Sequence, residues 1–435
     1  MWSSLRYNTI KSFSKTKKAF GLNKMTKIVQ VQYSIESAGR AALRLQKAFI
    51  EAGIDSSILS LKYTDINDER ISHLRGRSSR IANWDQTLQA RIRKNVKPER
   101  GLYSYPILGT DISQTPKIHN ADIIILHWVL FGFLNLSDIE KIIKLGKPVI
   151  FFMHDMWAIT GGCHYSFDCD KYKTQCYECP MFIKQTSKDW ALAEFKKKAK
   201  LFSSYSNVYF VSPSTWLFDC IKQSALTKDK PVFHIPNVLD RLIFKPFEKK
   251  IAKQILNIDP EETVIAFGAV TVNSSSKGWE YLKKALELLN NEPQQRKISV
   301  LIFGSSYSKQ IADSIPFKTK FMGSLKDEYS TALVYNAADV FIAPSLADNL
   351  PYTIFESLSC GTPVVAFNTG GIPDMVQHKS NGYLARYKDA ADIVEGINFV
   401  LSNNIIGHLS SNFDTINTIK KHQELFDHIT FKIPY

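Results

Sequence analysis

The chain has 435 residues, 44% of them hydrophobic and 22% charged, a balance that excludes a disordered or collagen-like polypeptide and suits two or three globular domains. No run approaches the roughly 18–20 apolar residues of a membrane-spanning helix, and no continuous apolar stretch of a secretory signal is present. The 55 lysines and arginines exceed the 41 acidic residues, for a formal net charge of +14. That favours anionic partners, but no zinc-finger spacing or RNP-type aromatic pattern accompanies it, so nucleic acid is not expected.

Residues 1–24 form a basic extension in which Lys11, Lys15, Lys17, Lys18 and Lys24 surround scattered apolar groups. It reads either as an incidental extension or as a basic segment for an anionic membrane surface. From Met25 the pattern is strand then helix, repeatedly. Lys27 to Gln32 reads as a buried strand, Arg40 to Ala52 as a helix stopped by Gly53, and Ser57 to Leu61 as a second strand. Tyr63 to Pro106 is polar, charged and without clear periodicity. Strands resume at Ile123–Leu126 and Val149–Met153, separated by a helix at Ser137–Leu145, and continue at Val208–Ser212 and Phe233–Ile235. Two basic groups, Arg75 to Lys97 and Lys196, Lys197, Lys198 and Lys200, read as solvated faces, with a membrane or lipid-phosphate surface as the alternative.

The segment Ile235-Pro236-Asn237 breaks this rhythm and marks a domain boundary. A second series follows, with strands at Val264–Gly268, Ser299–Phe303, Lys320–Met322, Val340–Ala343, Val364–Phe367 and Tyr383–Ala385. Its helices fall near Trp279–Leu289, Glu328–Ala337, Tyr352–Ser359 and Ala390–Leu401. Such alternation implies parallel sheets covered on both faces, with ligands at the carboxyl ends of the strands. The fold class is therefore α/β, with two doubly wound, Rossmann-like domains facing a cleft. They span residues 25–236 and 237–405, with 406–435 left as a C-terminal segment.

The most informative stretch runs from Ala343 to Ala366. It places Asp348 just before a helix and Glu356 eight residues on, inside it. Pro351 suits the first helical turn and Gly361 the stop. The amides of Asn349, Leu350 and Tyr352 are expected at the cleft, where a helix start favours negative or polar ligands. A carboxylate such as Glu356 can accept both hydroxyls of a ribose.

Taken together, Asp348, Glu356, Gly361 to Ala366 and Gly370-Gly371-Ile372-Pro373-Asp374 resemble the large retaining GT-B glycosyltransferase family 4. The resemblance extends from about residue 25 to about 402, including the loop Glu36 to Arg40 and the linker Ile235-Pro236-Asn237. It implies that Glu356 binds the donor ribose and that Asp348 and the following amides hold the donor sugar. Lys277, followed by Gly278, would neutralise the diphosphate, Gly39 would let the backbone approach the phosphates, and His154 would sit at the reacting centre. It further implies a UDP- or GDP-sugar donor, a glycan or lipid-linked acceptor, front-side retention of anomeric configuration without a catalytic metal, and work in surface polysaccharide synthesis. The expected location is cytoplasmic, at the inner face of the membrane. Two departures stand out. The first acid is Asp rather than Glu, and no Arg precedes Lys277 in the run from Gly268. A nucleotide-sugar 2-epimerase of similar fold and a catalytically weak sugar-nucleotide-binding protein stay open as alternatives.

Four of the six cysteines, Cys163, Cys169, Cys176 and Cys179, fall in one segment resembling that of a capsule and exopolysaccharide subset of the same family. Four thiolates can hold a structural zinc tetrahedrally. A disulfide staple or free buried thiols are the other readings. The Asp168-Cys169-Asp170 triplet reads as a coincidental likeness to a metal-binding motif. His127-Trp128 ends the strand before His154 and faces the same region.

Overall fold

The computed structural model describes residues 26–36, 39–268, 275–293, 296–325 and 327–430. The basic extension, Ser37 and Ala38 of the first cleft loop, and the Arg-less run 269–274 lie outside the described residues.

Among the described residues thirteen strands form two all-parallel sheets. The first has the order β3-β2-β1-β4-β5-β6-β7: β1 Lys27–Gln32, β2 Asp55–Ser60, β3 Ile71–His73, β4 Ile123–Leu126, β5 Val149–Phe152, β6 Val208–Ser212 and β7 Val232–His234. The second has the order β10-β9-β8-β11-β12-β13: β8 Thr263–Gly268, β9 Ile298–Phe303, β10 Lys318–Phe321, β11 Val340–Ala343, β12 Val364–Phe367 and β13 Gly382–Ala385. Parallel strands are buried on both faces, which explains why β4, β5, β6, β11 and β12 consist of fully buried residues and read as continuous apolar runs.

Among the described residues ten helices have eight or more residues, the first eight between strands and the last two after β13: α1 Arg40–Glu51, α2 Arg77–Arg93, α3 Leu136–Ile143, α4 Trp190–Ser204, α5 Thr215–Gln223, α6 Trp279–Asn290, α7 Glu328–Ala337, α8 Tyr352–Ser359, α9 Ala390–Ser402 and α10 Thr415–Thr430. Five of these helices start on a side-chain cap. Asn135 and Asp138 make a reciprocal capping box on α3, and Asp189, Ser214, Asp327 and Asp389 each accept a backbone N–H at the start of a helix.

Three elements depart from the sequence reading. Helix α2 and strand β3 occupy the stretch without clear periodicity, and α4 carries the lysine group read as a solvated face. Lys198 is in fact fully buried. Its ammonium lies 3.8 Å above the Trp157 ring and donates to the Trp157 carbonyl at 2.5 Å and the Thr160 carbonyl at 3.1 Å. Burial drives its pKa down to about 8.

The chain passes between domains at the linker. Val238 packs with the apolar cluster of β1, β4 and β5, and Leu239 with that of the second domain. Helix α10 then returns: Ile419, Leu425, Phe426 and Ile429 share a core cluster with Ile28, Phe49 and Ile150.

Candidate active site in the cleft

The two sheets present their carboxyl ends to each other, and the residues singled out from the sequence gather between them. Lys277 lies in a short 3-10 turn ahead of α6. Gly278 follows with φ +72°, and a Cβ there would lie 1.8 Å from the Pro344 carbonyl oxygen. Only glycine permits that approach. The approach brings the Lys277 ammonium within 2.7 Å of the Asp348 carboxylate. The expected diphosphate cation and the expected sugar-binding acid are thus one ion pair at the cleft.

Asn349 works differently from expectation. Its backbone N–H donates to Asp348 Oδ1 at 3.1 Å, and both Asn349 and Leu350 are buried. It is the side chain that spans the cleft. The amide nitrogen donates to the carbonyls of Met153 (3.2 Å) and His154 (3.3 Å), and its oxygen accepts from the Ser214 hydroxyl at 2.5 Å. Beside it, Asp374 accepts the Thr215 N–H at 2.6 Å. Pro351 is the cap of α8 rather than a residue of its first turn, and Gly361 ends the helix at φ +86°. Gly39 caps α1 with an ordinary φ of −78°. A Cβ there would meet the Ser34 carbonyl oxygen at 1.6 Å, so the chain's own turn already demands glycine.

Glu356 is buried on α8. One carboxylate oxygen accepts from Arg44 Nη2 of α1 at 2.6 Å, and the other from the Tyr335 hydroxyl at 3.1 Å. Arg44 also reaches Glu328 through Nε at 2.9 Å and lies 4.5 Å over the Tyr352 ring. Burial raises the Glu356 pKa, and Arg44 opposes that rise. Sequence reasoning missed Arg44 and Glu328. The one local signal was an arginine placed among the apolar residues of an amphipathic helix.

On the first domain's side, His154 follows β5 and is half-buried. Burial lowers its pKa to about 4, so the ring is neutral near pH 7. His154 Nε2 lies 2.9 Å from His127 Nδ1, and His127 Nε2 lies 2.9 Å from Gln30 Oε1. The neighbouring Asp155 accepts from Trp128 Nε1 (3.2 Å), His164 Nδ1 (2.6 Å) and the Trp157 N–H (2.8 Å). His164 Nε2 in turn meets the Ser104 hydroxyl at 2.9 Å. This serine–histidine–carboxylate chain has the order of a nucleophilic triad, but Ser104 is fully buried. It is a strut that fixes the loop after β5.

The thiols of Cys163, Cys169, Cys176 and Cys179 line one small cavity beneath that loop. As they stand they do not fit the zinc set suggested by their spacing. Among the described residues no three metal-ligating side chains are grouped to hold an ion, and all six cysteines are free. Packing orders the loop instead: Cys163, Cys176 and Cys179 belong to the first domain's apolar core, and burial pushes the Cys176 and Cys179 thiols up to about 12 and about 11. Asp168 and Asp170, either side of Cys169, pair with Arg100 and Lys173.

Two doubly wound, Rossmann-like domains facing one cleft make up the GT-B fold. Over 94% of this chain and 100% of the other, the fold superposes on sucrose-phosphate synthase from Thermosynechococcus elongatus, with a TM-score of 0.63 at 15% identity. Over 93% and 100% it superposes on Anabaena HepE in complex with UDP, with a TM-score of 0.61 at 15% identity. Residues 261–403, within the second domain, match the family described as Glycosyl transferases group 1. An uncharacterized glycosyltransferase of Haemophilus influenzae is 25% identical over 30% of this chain and 37% of its own length. One of Methanocaldococcus jannaschii is 26% identical over 64% and 73%. The chain spans about a third to two-fifths of the length of the first three curated relatives it matches.

Proposed function

We propose that the protein transfers a sugar from a nucleoside-diphosphate sugar to a hydroxyl of a glycan or lipid-linked glycan, with retention of configuration, in surface polysaccharide synthesis. The observation that carries this reading is the cleft wall formed by Lys277, Asp348, Asn349 and Glu356. Glu356 has the chemistry to accept two ribose hydroxyls, and the Lys277 ammonium to stabilise the departing diphosphate. Asp348, already paired to Lys277, would take sugar hydroxyls on its remaining lone pairs. The acceptor proton would leave to the departing phosphate on the same face. Asp155 is committed to three hydrogen bonds and serves as scaffold rather than nucleophile. The solved HepE complex with UDP supports a UDP-sugar as the first donor to try. The named relatives are glycosyltransferases, which disfavours the 2-epimerase reading.

A thermal-shift panel of UDP-, GDP-, TDP- and ADP-sugars on wild type and Glu356→Ala tests the donor site. A ligand at about 100 times its Kd stabilises by about 2.7 kcal/mol. One nucleotide class should shift the wild type alone, and equal shifts in both proteins would sink the ribose assignment.

A lipid-linked acceptor calls for a membrane-facing surface. No helix of the described residues is long and apolar enough to cross a bilayer. Helix α2 instead exposes Trp84 (64%) and Leu88 (39%) beside exposed Arg77, Arg80 and Arg91, a basic and aromatic face suited to anionic lipid. Trp84→Ala with Arg80→Glu should lose sedimentation with phosphatidylglycerol vesicles. Unchanged sedimentation would remove the membrane from the proposal.

A further inference from the structure

The buried polar groups behind His154 form a single directed chain, and its direction can be read from its fixed end. Ser56 lies in β2, and its backbone carbonyl can only accept. Gln46 Nε2 lies 2.5 Å from that carbonyl, so the Gln46 side chain must point its NH2 there and its oxygen away. Gln46 Oε1 then accepts from Gln30 Nε2 at 2.8 Å and from the Ser56 hydroxyl at 2.6 Å. With its NH2 committed, Gln30 turns its oxygen to His127 Nε2, 2.9 Å away. An amide oxygen carries no proton, so His127 Nε2 must carry one.

His127 is neutral. It is buried, its pKa is driven down first by burial and then by His154 and His422, and the groups around it are Gln30, the two histidines and the Phe152 ring. A neutral imidazole with its proton on Nε2 has a bare Nδ1. That nitrogen accepts across the 2.9 Å contact from His154 Nε2, which therefore holds the proton of His154. Gln30, Gln46 and Ser56 are at most 1% exposed, so water does not offer the chain an alternative partner.

We infer that Gln30, Gln46 and His127 are positioning residues that lock His154 as its Nε2–H tautomer, making His154 Nδ1 a pure hydrogen-bond acceptor at the cleft. This rests on the reading of His154 as a substrate-facing residue. It deepens that reading by naming the kind of group His154 can hold. A lone pair accepts from a sugar hydroxyl. It repels a phosphate oxygen, which is also an acceptor. His154 therefore selects a hydroxyl-bearing sugar and takes no part in binding the diphosphate. Each member comes from, or directly follows, a different strand or helix (Ser56 in β2, Gln46 in α1, Gln30 in β1, His127 after β4 and His154 after β5), so the tautomer is set by the sheet as a whole.

The test is nitrogen NMR on protein labelled at histidine with 15N, with the His154 signals assigned from their loss in His154→Gln. In the wild type without ligand, His154 should show a pyrrole-type Nε2 and a pyridine-type Nδ1, unchanged between pH 6 and 8. The opposite tautomer, or titration near 6.5 from the charged form, would overturn the proposal. Because this arm needs no activity and reads the tautomer in the wild type itself, failure of the transferase reading leaves it standing. Gln30→Leu removes the acceptor that orients His127, and His154 should then show averaged signals of both tautomers. A retained single tautomer in a folded Gln30→Leu would also count against the relay. With UDP-glucose as probe, this variant should bind about 2- to 12-fold more weakly, one neutral hydrogen bond's worth, while UDP alone binds as to the wild type. Equal weakening of both ligands would mean that Gln30 acts only on structure.

Discussion

Replacing Arg44 by Met is the sharpest test of how the cleft is held. Its guanidinium sits 2.6 Å from Glu356 and 2.8 Å from Glu328, with side-chain exposures of 4%, 10% and 16% respectively. Methionine keeps much of the packing against Tyr352 and Phe244, so the change mainly removes charge. The buried Glu356 carboxylate and the half-buried Glu328 carboxylate then lie side by side without a cation. Breaking a buried pair in this way costs about 3–5 kcal/mol. The pair joins α1 of one domain to α7 and α8 of the other, so the molecule has a second way to relieve the penalty, which is to open and let water in. The closed arrangement should lose about two to three and a half powers of ten in population relative to the open one, at 1.4 kcal/mol for each tenfold.

The effect has a pH sign. The Glu356 pKa is already raised by burial and restrained by Arg44, so losing Arg44 raises it further. A buried acid with a raised pKa is tolerated while protonated, and its cost grows as pH climbs from the unfolded value towards the folded one. The variant should therefore resemble the wild type near pH 4.5 and fall behind it increasingly towards pH 8. Thermal unfolding across that range and small-angle X-ray scattering would measure the loss and the opening. Arg44→Lys should recover only part of it, because an ammonium lacks the planar fork that meets two carboxylates. A variant with wild-type melting and radius of gyration at pH 8 would refute the latch.

Lys277→Met is expected to lower turnover about 10²- to 10³-fold, the usual cost of removing one preorganised stabiliser of developing charge. A loss confined to KM would point to donor binding alone. Since His154 is driven to about 4, its contribution to activity should be complete above pH 5.5 and fade only as pH falls through 4. A rate limb near 6.5 that disappears in His154→Gln would contradict its neutral state. Among the clustered thiols, Cys169 is half-buried and the other three are buried. Cys169 should therefore react first with a thiol reagent in native protein, and all six should react on denaturation. One zinc per chain by elemental analysis would overturn the free-thiol reading.

The sheets were legible because parallel strands are buried on both sides and leave unbroken apolar runs such as Ile123–Leu126. The cleft acids were legible because helix α8 begins and ends at recognisable residues, which fixes Asp348 and Glu356 relative to one strand end. Helix α2 was not: among its seventeen residues only a few apolar side chains recur, and its buried face includes Ser78, Asp85 and Gln89. Helix α4 was hidden by its lysines. Nothing local distinguishes Lys198, whose aromatic and carbonyl partners lie about forty positions earlier, from its exposed neighbours. The relay behind His154 joins residues as far as 97 positions apart. It exists only once β1, β2, β4 and β5 stand side by side, so no periodicity could announce it.

The return of α10 to the first domain bears on how the polypeptide matures. Phe49, Ile28 and Ile150 emerge early from the ribosome, yet their neighbours Phe426, Leu425 and Ile429 are translated only after the whole second domain. At about 5–20 residues per second, that apolar patch waits on the order of ten seconds or more for its cover. The first domain cannot complete its core during synthesis, and the second is free to finish before it. A ribosome stalled within the second domain would leave a nascent chain whose sticky patch is a natural target for chaperones.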